Sequence, residues 1–256
     1  MSELKKNSLS GKLVIFNTER NKRSYEFHKE DTNVIEKEYE ENCPLCTGNE
    51  YMTPKETFSI IKNNKWIVRA VPNKYPILTQ KKQNNEKNYI FGEHEVLIES
   101  NKHNKSYYNM TCKEFGNVIR MYLERYNALY KNEIKYVSII KNYLMEAGAS
   151  LKHSHSQIIS LPLIPPTINE EIINARNYFK ETNVSYFEDK IKYKENIFIE
   201  NKFFYAFVPN DSPYSLEINI VSKNKSKFNE IETNEIKALS EILSYTFNKL
   251  NNVIGR

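Results

Sequence analysis

Two histidines and a glutamine alternate in the segment His153-Ser154-His155-Ser156-Gln157. On a β-strand alternate residues share one face, so the side chains of His153, His155 and Gln157 are predicted to line the same side of a strand. A neutral imidazole can attack phosphorus, and a nearby amide can donate to the charge that develops on a phosphoryl oxygen. The segment therefore indicates nucleophilic chemistry at phosphorus. A pair of metal ligands without catalysis, or two satisfied surface histidines, are the alternatives.

A turn of small residues, Ala147-Gly148-Ala149-Ser150, lies just upstream of the histidines. Small side chains let backbone amides approach a phosphate closely, and the Ser150 hydroxyl offers a further donor. Such a turn carries little information alone. Beside two histidines and a glutamine, it predicts a phosphate cradle that includes Gly148.

Cys43 and Cys46 form a C-x-x-C pair. A redox pair of the thioredoxin type is the alternative, but that motif opens a helix after a strand, whereas the turn-like residues Thr47-Gly48-Asn49 follow here. We therefore favour a zinc knuckle, and tetrahedral zinc needs two further ligands. The histidines that could supply them are His28, His94, His103, His153 and His155.

An internal repeat indicates the elements that position these residues. Two strand-like segments, 95–100 and 217–222, each lead through a loop rich in Lys and Asn into a helix opened by a threonine, Thr111 or Thr233. The offset along the chain from the first strand-like segment to the second equals the offset from Thr111 to Thr233. The repeat predicts an α+β fold with antiparallel sheets and packed helices in two units, residues 1–165 and 166–256. The second unit is predicted to be truncated, because the counterpart of the histidine strand would fall beyond its end.

Within the first unit, Thr111 and Glu114 form a capping box that opens an amphipathic helix. A strand is predicted over 136–141 and a second strand, which carries the histidines, over 153–160. A connecting helix is predicted over about 167–179. The histidine strand should therefore lie in the sheet of the first unit.

Composition narrows the class of protein. The 256 residues are 39% hydrophobic, and 37 basic residues stand against 32 acidic ones, so the net charge of +5 is a small surplus on a charged surface. No basic stripe or aromatic-basic interleaving predicts nucleic-acid binding. No window approaches the roughly 18 apolar residues of a membrane span, and the amino terminus lacks the apolar core of a secretory signal. A cytoplasmic enzyme is expected.

Taken together, the motifs resemble those of the galactose-1-phosphate uridylyltransferase-like branch of the histidine-triad superfamily, in which two such units are fused. The resemblance covers the chain from Gly11 to about Asn251. It rests on five motifs in family order: Arg20-Asn21-Lys22-Arg23, Cys43-Pro44-Leu45-Cys46-Thr47-Gly48-Asn49-Glu50, Arg69-Ala70-Val71-Pro72-Asn73-Lys74-Tyr75-Pro76, Gly92-Glu93-His94-Glu95-Val96, and Asn142 through Gly148-Ala149-Ser150 to the histidine segment.

The resemblance implies a role for each matching residue. His155 would be the nucleophile that forms a nucleotidyl-histidine, Gln157 would stabilise the transition state, and Ser150 would bind phosphate. One structural zinc ion per chain would be held by Cys43, Cys46, His103 and His153. The nucleotide site would be lined by Arg20, Arg23, Asn73 and Asn142, with Gly148 added from the small-residue turn.

The expected function is transfer of a nucleoside monophosphate between a nucleotide sugar, of UDP-hexose or ADP-hexose type, and a phosphorylated acceptor such as a hexose 1-phosphate. A phosphorylase or hydrolase of dinucleotides or nucleotide sugars, using phosphate or water as acceptor, stays open. So does a non-catalytic nucleotide-binding regulator. A homodimer is a further expectation, and neither nucleic acid nor a membrane is expected as a partner.

Overall fold

The computed structural model describes residues 2–6, 13–17, 37–79, 90–131, 133–194, 196–210, 212, 214–224 and 227–254. In chain order the elements are β1 (Ser2–Lys6), β2 (Leu13–Asn17), β3 (Phe58–Lys62), β4 (Lys65–Pro72), β5 (His94–Ile98), α1 (Cys112–Leu129), β6 (Tyr136–Ile140), β7 (His155–Leu161), α2 (Pro166–Thr182), α3 (Tyr186–Tyr193), β8 (Ile197–Glu200), β9 (Phe204–Phe207), β10 (Asn219–Ser222) and α4 (Thr233–Ile254). The α+β class with antiparallel sheets and packed helices, predicted from the sequence, is confirmed.

The chain divides into two compact units, one formed by residues 1–106 and 120–165 and the other by residues 107–119 and 166–256. The first contains a five-stranded sheet of order β3-β4-β5-β7-β6, in which every neighbouring pair is antiparallel. A two-residue turn at Asn63 and Asn64, both with positive φ, closes the β3–β4 hairpin, as the right-handed strand twist favours. β5 and β7 lie centrally, so residues on them are held by hydrogen bonds from both sides.

The second unit contains a three-stranded antiparallel sheet of order β10-β9-β8. All four residues of β9 are buried, and Phe204 and Ala206 pack with Ala238 and Ile242 of α4 in one apolar cluster. Among the described residues, no helix has both the length and the apolarity that crossing a bilayer requires.

The predicted local elements form with small shifts. The capping box is present, since the Glu114 N–H donates to the Thr111 hydroxyl and the Thr111 N–H donates to the Glu114 carboxylate. Thr233, in contrast, is the first residue of α4 and not its cap. The strand expected over 136–141 forms as β6, and the helix expected over 167–179 forms as the longer α2.

The histidine strand differs from its prediction. β7 begins at His155, so His153 precedes the strand and does not share its face in the predicted way. The reason is a contact distant in the chain, because the Nε2–H of His153 donates to the backbone carbonyl of Ser100 at 2.8 Å and the residue lies in a bend. This bend separates the surroundings of the two histidines.

Candidate active site and metal centre

Four side chains form a cluster of sulfur and nitrogen atoms in the first unit. Cys43 and Cys46 precede β3, His103 follows β5, and His153 precedes β7. One ligand atom of each residue lies within 4.8 Å of the ligand atoms of the other three. No disulfide joins any of the three cysteines of the chain, all of which are described. The four residues named as metal ligands from the sequence are thus brought together.

Distances within the cluster fit a tetrahedral ion. The Cys46 Sγ lies 3.5 Å from the Nδ1 atoms of both His103 and His153, and the Cys43 Sγ lies 3.7 Å from Nδ1 of His153. With bonds of about 2.3 Å to sulfur and about 2.0 Å to nitrogen, the S···N edge of a zinc tetrahedron is roughly 3.6 Å. Two sulfur and two nitrogen donors are also a common structural zinc set. The group could therefore hold a metal ion.

The two histidine rings are in the state that metal binding requires. Burial lowers the pKa of His153 to about 4, against which the hydrogen bond to the Ser100 carbonyl acts in the opposite direction. Burial also lowers the pKa of His103. Both rings are therefore neutral near pH 7. The bond from Nε2–H of His153 to Ser100 leaves its Nδ1 facing the sulfur atoms, which is the usual outer support of a ligating histidine.

The segment that carries the cysteines is shaped by Asn49. Its buried side-chain amide donates to the carbonyls of Cys43 at 2.8 Å and Glu41 at 2.9 Å, while its Oδ1 accepts from the Tyr39 hydroxyl at 3.1 Å. The Cys46 N–H donates to the Cys43 carbonyl, which closes the knuckle between the two thiols. These bonds hold both sulfur atoms on one side of the loop.

His155 is the first residue of β7 and is 9% exposed. Its Nδ1 lies 2.8 Å from the backbone carbonyl oxygen of His153. Because a carbonyl can only accept, Nδ1 carries the hydrogen, and the lone pair of the neutral ring lies on Nε2. This is the tautomer that a nucleophilic imidazole needs.

The small-residue turn is tighter than the sequence suggested. Residues Met145–Ala147 form a 3-10 turn that ends at Gly148, whose φ of 85° favours glycine. The N–H groups of Gly148 and Ala149 donate to carbonyls of the turn itself, at Met145 and Leu144. A Cβ atom at position 148 would lie 3.4 Å from the Asn142 side-chain nitrogen, so Asn142 and Gly148 are neighbours. Ser150 follows as a buried residue.

Gln157 lies two residues after His155 on the same face of β7. Its Oε1 is 2.7 Å from Nε2 of His94, the first residue of β5. Asn73, which follows β4, contacts the same ring, because its Nδ2 is 3.1 Å from Nε2 of His94. Asn73 and Gln157, both named from the sequence, therefore meet at His94, which was considered from the sequence only as a possible zinc ligand and lies outside the metal cluster.

The opposite face of β7 carries a buried polar network that the sequence analysis also missed. Glu99 is 1% exposed, and its carboxylate pairs with Lys141 at 2.5 Å. It also accepts hydrogen bonds from the hydroxyls of Tyr122, Ser154 and Ser156. The Lys141 ammonium reaches the backbone carbonyl of His155 at 3.3 Å. Ser154 and Ser156 alternate with the histidines in the sequence, and this alternation was the available signal that the opposite face of the strand is also polar.

Arg20 and Arg23 lie outside the described residues. The remaining residues named from the sequence lie in the first unit. Four of them form the metal cluster, Asn73 and Gln157 meet at His94, and Asn142 lies beside Gly148 in the turn that precedes Ser150 and His155.

The chain is similar to several proteins of known activity. Residues 1–165 match the family model described as galactose-1-phosphate uridyl transferase, N-terminal domain. ADP-glucose phosphorylase of Arabidopsis thaliana is 30% identical over 97% of this chain and 74% of its own length. Galactose-1-phosphate uridylyltransferase of Thermotoga maritima is 24% identical over 98% of the chain and 77% of its own length.

Solved structures show the same fold. The ADP-glucose phosphorylase of Arabidopsis thaliana with bound ADP-glucose superposes with a TM-score of 0.78 at 27% identity, over 100% of this chain and 79% of that one. A uridylyltransferase structure superposes with a TM-score of 0.71 at 20% identity, over 95% of this chain and 73% of that one.

Proposed function

The chain belongs to the galactose-1-phosphate uridyl transferase family, and we propose that it transfers a nucleoside monophosphate from a nucleotide sugar to a phosphate acceptor through a covalent intermediate on His155. The observation that carries the proposal is the hydrogen bond from Nδ1–H of His155 to the His153 carbonyl, which puts the lone pair on Nε2. Gln157 on the same strand face and Ser150 from the preceding turn would be the neighbouring donors.

The reaction proceeds by two displacements. Nε2 of His155 attacks the α-phosphorus of the nucleotide sugar, a P–N bond forms, and the bond to the bridging oxygen breaks, so that the sugar 1-phosphate leaves with that oxygen. An oxygen of the acceptor phosphate then attacks the same phosphorus, and the P–N bond breaks to restore the imidazole. Each displacement inverts the configuration at phosphorus, and the net outcome is retention.

The other residues have supporting roles in this proposal. The Gln157 amide donates to a non-bridging oxygen whose charge grows in the transition state. Asn73, Asn142 and Gly148 line the nucleotide site, together with Arg20 and Arg23. A zinc ion held by the four residues of the metal cluster would be structural, because four protein ligands leave no open coordination position.

A second acceptor is favoured by one observation. The relative at 30% identity is a phosphorylase, whereas the Thermotoga maritima uridylyltransferase is 24% identical over a similar length. With inorganic phosphate as acceptor, the same intermediate on His155 would yield a nucleoside diphosphate. The covalent step is common to both activities, so it is the step to test first.

Intact-mass spectrometry of the full chain is the direct test. The protein is mixed separately with UDP-glucose, UDP-galactose, ADP-glucose and diadenosine tetraphosphate, and a mass increase of one nucleoside monophosphate is sought. The adduct should map to His155 by peptide sequencing and be absent from His155→Gly. Adding glucose 1-phosphate, galactose 1-phosphate or inorganic phosphate to the adduct then identifies the acceptor that discharges it. No adduct with any donor, or an adduct on another residue, would falsify the proposal.

A further inference from the structure

His94 is a buried histidine that the proposed reaction does not use. It is 4% exposed and is the first residue of β5, a central strand beside the proposed site. In the register of β5 and β7, Gln157 lies opposite Val96 and His94 lies opposite Ile159. His94 is therefore the diagonal neighbour of Gln157 on the same sheet face, within reach of its side chain.

Both ring nitrogens of His94 have defined roles. The backbone N–H of Ile77 points at Nδ1 from 3.1 Å, and because an amide N–H can only donate, Nδ1 is an acceptor. The neutral ring therefore carries its hydrogen on Nε2. A second proton, on Nδ1, would oppose the Ile77 N–H, so the geometry also favours a neutral ring.

This tautomer fixes the orientation of the Gln157 amide. Nε2 lies 2.7 Å from Oε1 of Gln157 and 3.1 Å from Nδ2 of Asn73, which itself bears hydrogen, so of these two atoms only the Gln157 oxygen can accept from Nε2–H. The amide oxygen is thereby held on the side of His94, and the amide nitrogen, the only donor of the side chain, is directed away from the ring. The reverse orientation of the Gln157 amide would place a second NH₂ group, beside that of Asn73, against the same N–H and would leave that N–H without an acceptor among these two side chains.

The environment keeps the ring in place. The backbone N–H of Asn73 donates to the His94 carbonyl at 2.8 Å, and the Asn73 Oδ1 accepts from the Tyr75 N–H at 2.8 Å. The segment between Asn73 and Ile77 therefore folds over the ring and presents the amide that selects its tautomer. Oriented donors of this kind are effective because they need no reorganisation when charge develops.

We propose that His94 is a positioning residue for phosphoryl transfer: its Nε2–H holds the Gln157 side-chain carbonyl, so that the Gln157 NH₂ group faces the non-bridging oxygen of the phosphoryl group attacked by His155. This inference rests on the proposed function. It assigns His94 no proton transfer with the substrate and no contact with it.

Two substitutions of His94 distinguish its hydrogen bond with the Ile77 N–H from its hydrogen bond with Gln157. His94→Asn places a carbonyl oxygen near the Nδ1 position, which can accept from Ile77, but it lacks the donor to Gln157. His94→Gln reaches the Nε2 position with an NH₂ group and can keep that donor. A positioning role predicts that His94→Asn is slow and that His94→Gln recovers much of the rate. A purely structural role predicts no such ordering.

The measurement is the single-turnover rate of nucleotidyl-enzyme formation with ADP-glucose and UDP-glucose, alongside the melting temperature. Loss of one such donor costs roughly 10²-fold in rate, so we expect Gln157→Ala to lose about that factor and His94→Asn about 10-fold. In the Gln157→Ala background, His94→Asn should cause no further loss. The pH profile of the remaining rate should keep its shape, because His94 transfers no proton.

Three results would overturn the inference. They are a wild-type rate in His94→Asn, losses that multiply in the double variant, and equal rates in His94→Asn and His94→Gln. In each case the wild-type protein still forms its adduct on His155, so the proposed function survives. A wild-type protein that forms no adduct overturns the function and the positioning role together.

Discussion

Replacing Cys43 with serine tests the metal centre most sharply. Cys43 is completely buried, and its Sγ lies 3.7 Å from Nδ1 of His153. A serine oxygen is a much poorer ligand than a thiolate for a soft divalent ion. Cys112→Ser is the matched control, because Cys112 is exposed and lies outside the cluster.

The size of the effect follows from the number of ligands. Structural zinc sites contribute roughly 10–16 kcal/mol of apparent binding free energy, so one of four ligands is worth about 3 kcal/mol. That amount corresponds to a loss of affinity of about 100-fold. Where the wild-type site is saturated and the variant site is not, the linked loss of stability is of similar size. For a chain of this length it lowers the melting temperature by roughly 6–12 °C.

The assay measures metal content and stability on the same samples. Inductively coupled plasma mass spectrometry should find about one zinc ion per wild-type chain and per Cys112→Ser chain, and far less in Cys43→Ser. Thermal unfolding should show the matching fall, and a chelator should lower the wild-type melting temperature toward that of the variant. If Cys43→Ser keeps the metal content and melting temperature of Cys112→Ser, or if chelation changes nothing, the assignment of the cluster is wrong.

Two further predictions concern the fold. At Gly92, with φ of 152°, a Cβ atom would lie 2.1 Å from the Ser160 carbonyl oxygen, so Gly92→Ala should lower the free energy of unfolding in urea by about 3 kcal/mol. In the control Gly48→Ala the new Cβ atom would have no atom within 4 Å, so the loss should be about 1 kcal/mol. Equal losses in the two variants would refute the steric argument. Burial, with a smaller contribution from Tyr186, raises the pKa of Tyr205 to about 12. The neutral phenol is therefore favoured by folding, and its contribution is intact below pH 10 and lost as the pH rises toward 12. The unfolding free energy of Tyr205→Phe should fall less steeply between pH 10 and 12 than that of the wild type, and parallel slopes would contradict this.

The sequence predicted the parts of the site that short motifs encode. The spacing of Cys43 and Cys46 indicates a pair of metal ligands, and the alternation of polar residues around His155 predicts a strand with two different faces. Both features are local, so periodicity and ligand chemistry suffice to recognise them. The α+β class followed from the order of strand-like and helical segments for the same reason.

Long-range pairing explains what the sequence analysis missed. His94 gains its role only because β5 pairs with β7 in a register that puts it diagonally opposite Gln157, and no local pattern encodes a register. Glu99 and Lys141 likewise meet across the sheet, although each alone reads as a surface charge. The bend at His153 depends on the Ser100 carbonyl, which lies 53 residues earlier in the chain.

The bend at His153 joins the metal cluster to the proposed nucleophile. The ring of His153 belongs to the metal cluster, while its backbone carbonyl accepts the hydrogen bond from Nδ1–H of His155. An ion that fixes the ring therefore also restrains the carbonyl that selects the tautomer of His155. Loss of the metal should then slow formation of the adduct beyond what unfolding accounts for, without moving the adduct to another residue. Measuring the adduct rate of Cys43→Ser well below its melting temperature tests this link, and a wild-type rate in the metal-free variant would show that the carbonyl keeps its position without the ion.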